Sequence, residues 1–205
     1  MRIAIPMRPA VLFAILFAVA LVLFFPLRLA VGGSGLSARE ASGSVWSGSL
    51  KEARIGPAVL GDLDARLSPL ALLTGRMLLY VARPSAAPDR MVGALGLSRN
   101  RRSVESASGL IPIDGAFGAL PVASFELTDV TVRFRDGECD RAEGMVRANL
   151  SGDGGLNLPA SLTAAPRCDR GAVLLPFAVP TGGGAEMRIS GDGRWDVRST
   201  GAPPR

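Results

Sequence analysis

Asp62 and Asp64 stand two residues apart, and on an extended strand that spacing sets both carboxylates on one face, as a D-x-D metal or nucleotide site requires. Arg66 continues the same face, and no further oxygen ligands of the kind a hard cation needs lie nearby, so the trio reads as the solvated side of a strand. Cys139 and Cys168 are the only cysteines. An even pair in an oxidising compartment forms a disulfide more readily than a ligand set or a nucleophile. The chain contains no histidine. That removes the Ser-His-Asp and Cys-His types of hydrolase and the His-dependent zinc sites. The glycine-rich turns lack the Gly-Lys-Ser/Thr of a phosphate loop, so no cofactor, no metal and no catalytic constellation is expected. The expectation is a protein that is not an enzyme.

Three other residues draw notice by their setting. Trp46, inside Ser42–Gly48 (SGSVWSG), can serve as a membrane-interface anchor, a partner hot spot or the first large residue of a core, the last being the commonest role. Pro69 follows Ser68 at the start of SPLALLTG, a short helical turn with a good N-cap, proline at the first helical position and Gly75 to end it. Trp195 closes Gly-Asp-Gly-Arg-Trp and, with Phe125, Phe134 and Phe177, is expected to be a large core filler. The positive charge is almost all arginine, Lys51 being the only lysine, and it is scattered singly apart from Arg99–Arg102. No nucleic-acid footprint results.

The elements that must position these residues begin with an uncharged run from Ala10 to Leu27, preceded by Arg2 and Arg8. As a helix it would rise roughly 27 Å, close to the thickness of a bilayer's hydrocarbon core. The flanking arginines predict a cytoplasmic tail at 1–9, a transmembrane helix at 10–31 and export of the rest. A cleavable signal peptide is the rival reading; its apolar core would be shorter than this one. Residues 32–44 read as a flexible Gly/Ser-rich tether, 45–200 as a periplasmic β domain and 201–205 as a disordered tail.

Within the domain the hydrophobic period is two. Leu63, Ala65 and Leu67 alternate with Asp64 and Arg66, and Met77, Leu79 and Val81 resume the pattern until Pro84. Strand candidates follow at 91–97, 125–135, 142–150, 156–164, 173–179, 185–189 and 195–197. Asp136-Gly137 signals a hairpin, and the shift of apolar phase near Asp129, from Phe125 and Leu127 to Val130, Val132 and Phe134, predicts a bulge. Short connections favour antiparallel neighbours. The expected class is mainly β: a curved antiparallel sheet, as a half-barrel or flattened sandwich, behind a single helix.

The order of the apolar segment, SGSVWSG, then Leu67–Arg76 (LSPLALLTGR), Leu120-Pro121, Val132–Gly144 (VRFRDGECDRAEG) and Gly191–Trp195 (GDGRW) resembles the type II secretion system protein N family over most of residues 42–197. The resemblance implies a non-catalytic accessory component of the inner membrane, single-pass, with a periplasmic β domain that binds other secretion subunits. Between Arg83 and Ser108 the chain is shorter than that pattern. An anchored β-sheet protein that shields or transfers lipid is the alternative.

Overall fold

The computed structural model describes residues 7–25, 27, 36–55, 58–84, 90–113, 122–151, 159–178 and 184–199. Helix α1 (Met7–Leu23) is followed by fourteen strands, with one five-residue helix, α2 (Pro69–Leu73), between the fourth and fifth. The strands are β1 (Leu36–Ser37), β2 (Glu40–Ser44), β3 (Ser47–Ile55), β4 (Ala58–Leu67), β5 (Met77–Ala82), β6 (Val92–Leu97) and β7 (Arg101–Pro112). After them come β8 (Val122–Arg135), β9 (Glu138–Leu150), β10 (Ser161–Ala164), β11 (Arg167–Asp169), β12 (Ala172–Ala178), β13 (Gly184–Ile189) and β14 (Trp195–Ser199).

The mainly β, antiparallel class is as expected, but the strands form two sheets. β3 to β10 pair in chain order in the larger sheet, with β1 and β2 both on the outer edge of β3, and β11 to β14 form a smaller four-stranded sheet. Chain order follows from the short connections, which make each strand's next neighbour its cheapest partner. The larger sheet curls, bringing β4 into contact with β7 across the intervening β5 and β6, and it does not close into a barrel. The switch between sheets falls at Ala165 and the buried Pro166, which has no N–H to continue the β9–β10 ladder.

Bulges produce the curl. The β3–β4 register slips around Glu52, the β7–β8 register around Ser106 and the β8–β9 register around Asp129, where the phase shift had predicted it. All three residues have left-handed backbones, with φ of 49°, 49° and 47°. Each bulged N–H finds a side-chain acceptor: Glu52 N–H donates to Asp62 Oδ1 (3.1 Å), Ser106 N–H to Thr131 Oγ1 (3.1 Å) and Asp129 N–H to Ser108 Oγ (2.9 Å). A bulge leaves its extra residue out of the ladder, so these acceptors offset the lost bond while the strands bend.

Two apolar cores result. One gathers Leu36, Val45, Leu50, Leu63, Ala65, Leu67, Leu79 and Val81 from the first five strands, together with Leu27. The other lies between the sheets, where Phe125 of β8 and Phe177 of β12 stack with ring centres 6.1 Å apart amid Val146, Leu162, Leu175 and Met187. Ile111 of β7 packs against both.

Two expectations need revision, the membrane span is not confirmed, and one strand was missed. Residues 36–37 and 40–44, read as tether, pair with β3 instead, and Leu27 is fully buried in the first core; the period-free Gly/Ser composition concealed edge strands whose pairing partner supplies the order. No helix among the described residues is long and apolar enough to cross a membrane; α1 has 17 residues where a span over 10–31 was expected, and residues 26 and 28–31 lie outside the described ones. Trp195 is 44% exposed, because it begins an edge strand, and Phe134 is half-buried near a strand end. β7 was not anticipated at all. The expected segments at 1–6, 152–158 and 201–205 lie outside the described residues.

Candidate interaction surfaces

The paired carboxylates Asp62 and Asp64 do occupy one exposed face of β4. Asp62 accepts the bulged N–H of Glu52 at 3.1 Å, a structural task. Among the described residues no cluster of three or more His, Cys, Asp or Glu side chains could hold a metal ion. The groups whose acidity is displaced point away from proton transfer as well. Lys51 is raised by its hydrogen bond to Glu40, and Arg141 by its hydrogen bond to Glu143, so both are held more firmly as surface cations.

Cys139 and Cys168 form a disulfide with 5.5 Å between their Cα atoms. The bond joins β9 of the larger sheet to β11 of the smaller. Beside it, Cys139 N–H donates to Gly171 O at 2.8 Å. Two tight turns frame this junction. Asp136-Gly137, between β8 and β9, has φ of 53° and 88°, and Arg170-Gly171, between β11 and β12, has φ of 47° and 76°. Two consecutive left-handed residues are the signature of the hairpin turn whose twist matches that of its strands.

Strand alternation sorts the connections between two ends. In an antiparallel meander every second connection returns to the same end. One end therefore collects Val45-Trp46, the α2 segment at 68–76, the turn at 98–100, Asp136-Gly137, Arg170-Gly171 and the turn at 190–194. Backbone hydrogen bonds tie neighbours along this rim: Leu67 N–H to Val45 O (2.8 Å), Ser68 N–H to Leu78 O (2.9 Å) and Asp136 N–H to Asn100 O (2.8 Å). Trp46 sits on the rim, half-buried against the first core. Pro69 opens α2, whose N-cap Ser68 accepts the Ala71 N–H through Oγ, and Gly75, with φ of 71°, lets the chain leave it. Sequence reasoning found this helix but not its consequence. Five residues are too few to cover the leucines they carry, so Leu70 and Leu73 are 75% and 84% exposed.

Arg99, Arg101 and Arg102 are exposed on the same rim and line a shallow cleft with Phe134, Asp136 and Asp192. Among the described residues none of the three arginines is in an ion pair, whereas Asp192 is held by Arg194 at 3.2 Å. Trp195 lies just beyond, at the start of β14. That strand pairs with β13 on one side, and among the described residues nothing pairs with its other edge. Inside, the apolar cavity between the sheets, bounded by Phe125, Phe177 and Met187, holds about 20 Å³. That is room for a water-sized molecule, not for an acyl chain.

A family model described as type II secretion system (T2SS), protein N matches residues 34–201. Comparison with curated proteins and with solved structures finds no match.

Proposed function

Since the chain belongs to the type II secretion system protein N family, we propose that it is a non-catalytic accessory component of type II secretion. In this reading α1 anchors it in the inner membrane and the periplasmic sheets bind other subunits of the apparatus. The family match carries the reading, because it spans every strand from β1 to β14.

Physical features support the finer parts. Val11, Leu12, Phe13, Ile15, Leu16 and Phe17 are all at least half exposed, so apolar side chains surround α1 on every side; such a helix is stable in lipid rather than in water. Arg2 and Arg8 at its start favour a cytoplasmic N-terminus. A disulfide between the sheets suits an oxidising periplasm. The edge of β14 away from β13, with which no described strand pairs, presents main-chain donors and acceptors to an added strand, and Trp195 adjoins it as an aromatic contact.

Photo-crosslinking in secreting cells tests the binding surface. A crosslinker at Trp195 or Arg198 of β14 in the full chain is expected to give adducts with other secretion subunits, and one at Tyr80, which is exposed in the middle of the larger sheet, is not. Adducts at Tyr80 alone would move the contact off the edge. Failure of the full chain to co-purify with any secretion subunit would sink the assignment.

A further inference from the structure

The end of the β domain that receives α1 carries exposed leucines and arginines. Only three residues separate Leu23, the last of the helix, from Leu27, which is fully buried in the first core, and Phe25 O accepts the Val45 N–H at 3.0 Å. No free tether intervenes there. Val45 O in turn accepts the Leu67 N–H, so the exit of α1 and the start of α2 are two backbone hydrogen bonds apart, a distance on the order of 10 Å. α2 buries none of its own residues, and its Leu70 and Leu73 are among the most exposed apolar side chains described. Two strands further along the same rim stand Arg99, Arg101 and Arg102, with Asn100 hydrogen-bonded to Asp136 at 3.4 Å holding their turn.

From this continuity and charge we propose that the rim is a second membrane contact, with the α2 leucines seated among the outer ends of the acyl chains and the three arginines on anionic phospholipid phosphates. The inference rests on the membrane anchoring of α1 proposed above. Leucines and arginines on one surface are the composition of an interfacial segment: the apolar groups gain by leaving water and the guanidiniums gain from the lipid charge. Arginine is suited to the phosphates because its planar fork donates two parallel hydrogen bonds. The carboxylates lining the same cleft do not cancel this charge, since Asp192 is paired with Arg194 and Asp136, which keeps its charge while accepting from Asn100, offsets only one of the three arginines.

The test uses the full chain in vesicles of phosphatidylethanolamine and phosphatidylglycerol, with Trp46→Phe and Trp195→Phe removing the native indoles. One reporter, Leu73→Trp, is placed on the rim and another, Phe17→Trp, in α1. Lipids brominated near the carbonyls should quench the first, and lipids brominated near the chain ends the second. Quenching of Phe17→Trp without quenching of Leu73→Trp overturns the rim contact and leaves the anchor standing. Quenching of neither removes the anchor and this inference with it. Changing Arg99, Arg101 and Arg102 to Gln should weaken quenching at position 73 in phosphatidylglycerol vesicles; an unchanged signal refutes the phosphate assignment. Should the indole-free background fail to fold, hydrogen exchange of the unmodified full chain decides. Amides at 98–102 should exchange more slowly in phosphatidylglycerol than in phosphatidylcholine vesicles, and equal rates reject the contact.

Discussion

Replacing both Cys139 and Cys168 by alanine removes the one side-chain covalent tie between the two sheets. The partners are 29 residues apart, and closing a loop of that length restricts the unfolded chain by about 3.6 kcal/mol at 25 °C in the chain-entropy account. For a domain of this size each kcal/mol moves the midpoint of thermal unfolding by about 2 to 4 °C, so the double variant should melt about 7 to 14 °C below the parent. Circular dichroism of the full chain in detergent reads the difference, and reduction of the parent should reproduce it. The loss should also be local. The smaller sheet touches the larger through the Phe125–Phe177 core and the backbone bond from Cys139 to Gly171, whereas β3 to β9 hold one another through continuous ladders. Amides of β11 to β14 should therefore gain exchange before those of β3 to β6. An unchanged midpoint, or exchange rising equally in both sheets, would refute the role of the bond as the staple between them.

Other substitutions probe the remaining supports. Phe177→Ala empties the centre of the core between the sheets and should cost about 3 to 5 kcal/mol, measured by denaturant unfolding; a cost below about 1 kcal/mol would mean that the sheets do not depend on this contact. At Gly144, φ is 108° and an added Cβ would lie 2.6 Å from Asp129 O and Val130 Cα, whereas Gly137, with φ of 88°, faces open space. Gly137→Ala should cost about 1 kcal/mol for the left-handed backbone alone, and Gly144→Ala should cost distinctly more, since β9 must also move away from the bulge. Equal losses in the two unfolding curves would show that close approach is unimportant there. Ser68→Ala removes the cap of α2 and should cost about 0.5 to 2 kcal/mol, with faster exchange of the Ala71 amide as the local readout.

What the sequence disclosed depended on whether side chains alternate. Leu63, Ala65 and Leu67 could be assigned to the buried face of β4 because Asp64 and Arg66 mark the other, and Asp136-Gly137 named its own turn. β7 escaped notice for the opposite reason. Its Arg-Arg-Ser-Val-Glu-Ser-Ala-Ser carries few large apolar residues, its phase slips at Ser106, and of its twelve residues only Ala107 is fully buried. β1 and β2 were hidden by Gly and Ser, whose order comes from β3 rather than from any propensity of their own. Trp195 was misjudged because a large aromatic in a β pattern reads as core, while its place at the end of an edge strand leaves it nearly half exposed. The disulfide and the capped turn at Pro69 were legible, being written in residue type and local spacing. The rim was not, because it is assembled from segments spread over most of the chain, from Val45 to Arg194, and becomes one surface only when strand order is known.

That dependence on strand order explains how the two proposed contacts stay distinct. Antiparallel alternation sends each connection to one end or the other by counting strands, so the residues of α2, the arginine turn and Asp136-Gly137 meet on the rim that receives α1. The β14 edge runs perpendicular to the hydrogen-bonding direction and ends in the same region at Trp195. A membrane contact consumes side chains at the turns, whereas an added strand consumes main-chain groups along an edge, and neither uses the groups that the other needs. The rim and the edge can therefore be occupied together. Fixing the rim against lipid would also limit the directions in which the edge can face, since Leu27 and the Phe25–Val45 bond leave little slack between helix and sheet. In the proposed role, with neighbouring subunits in the same membrane plane, this restriction would lower the orientational cost of association, because rotational freedom already lost to the bilayer is not lost again on binding.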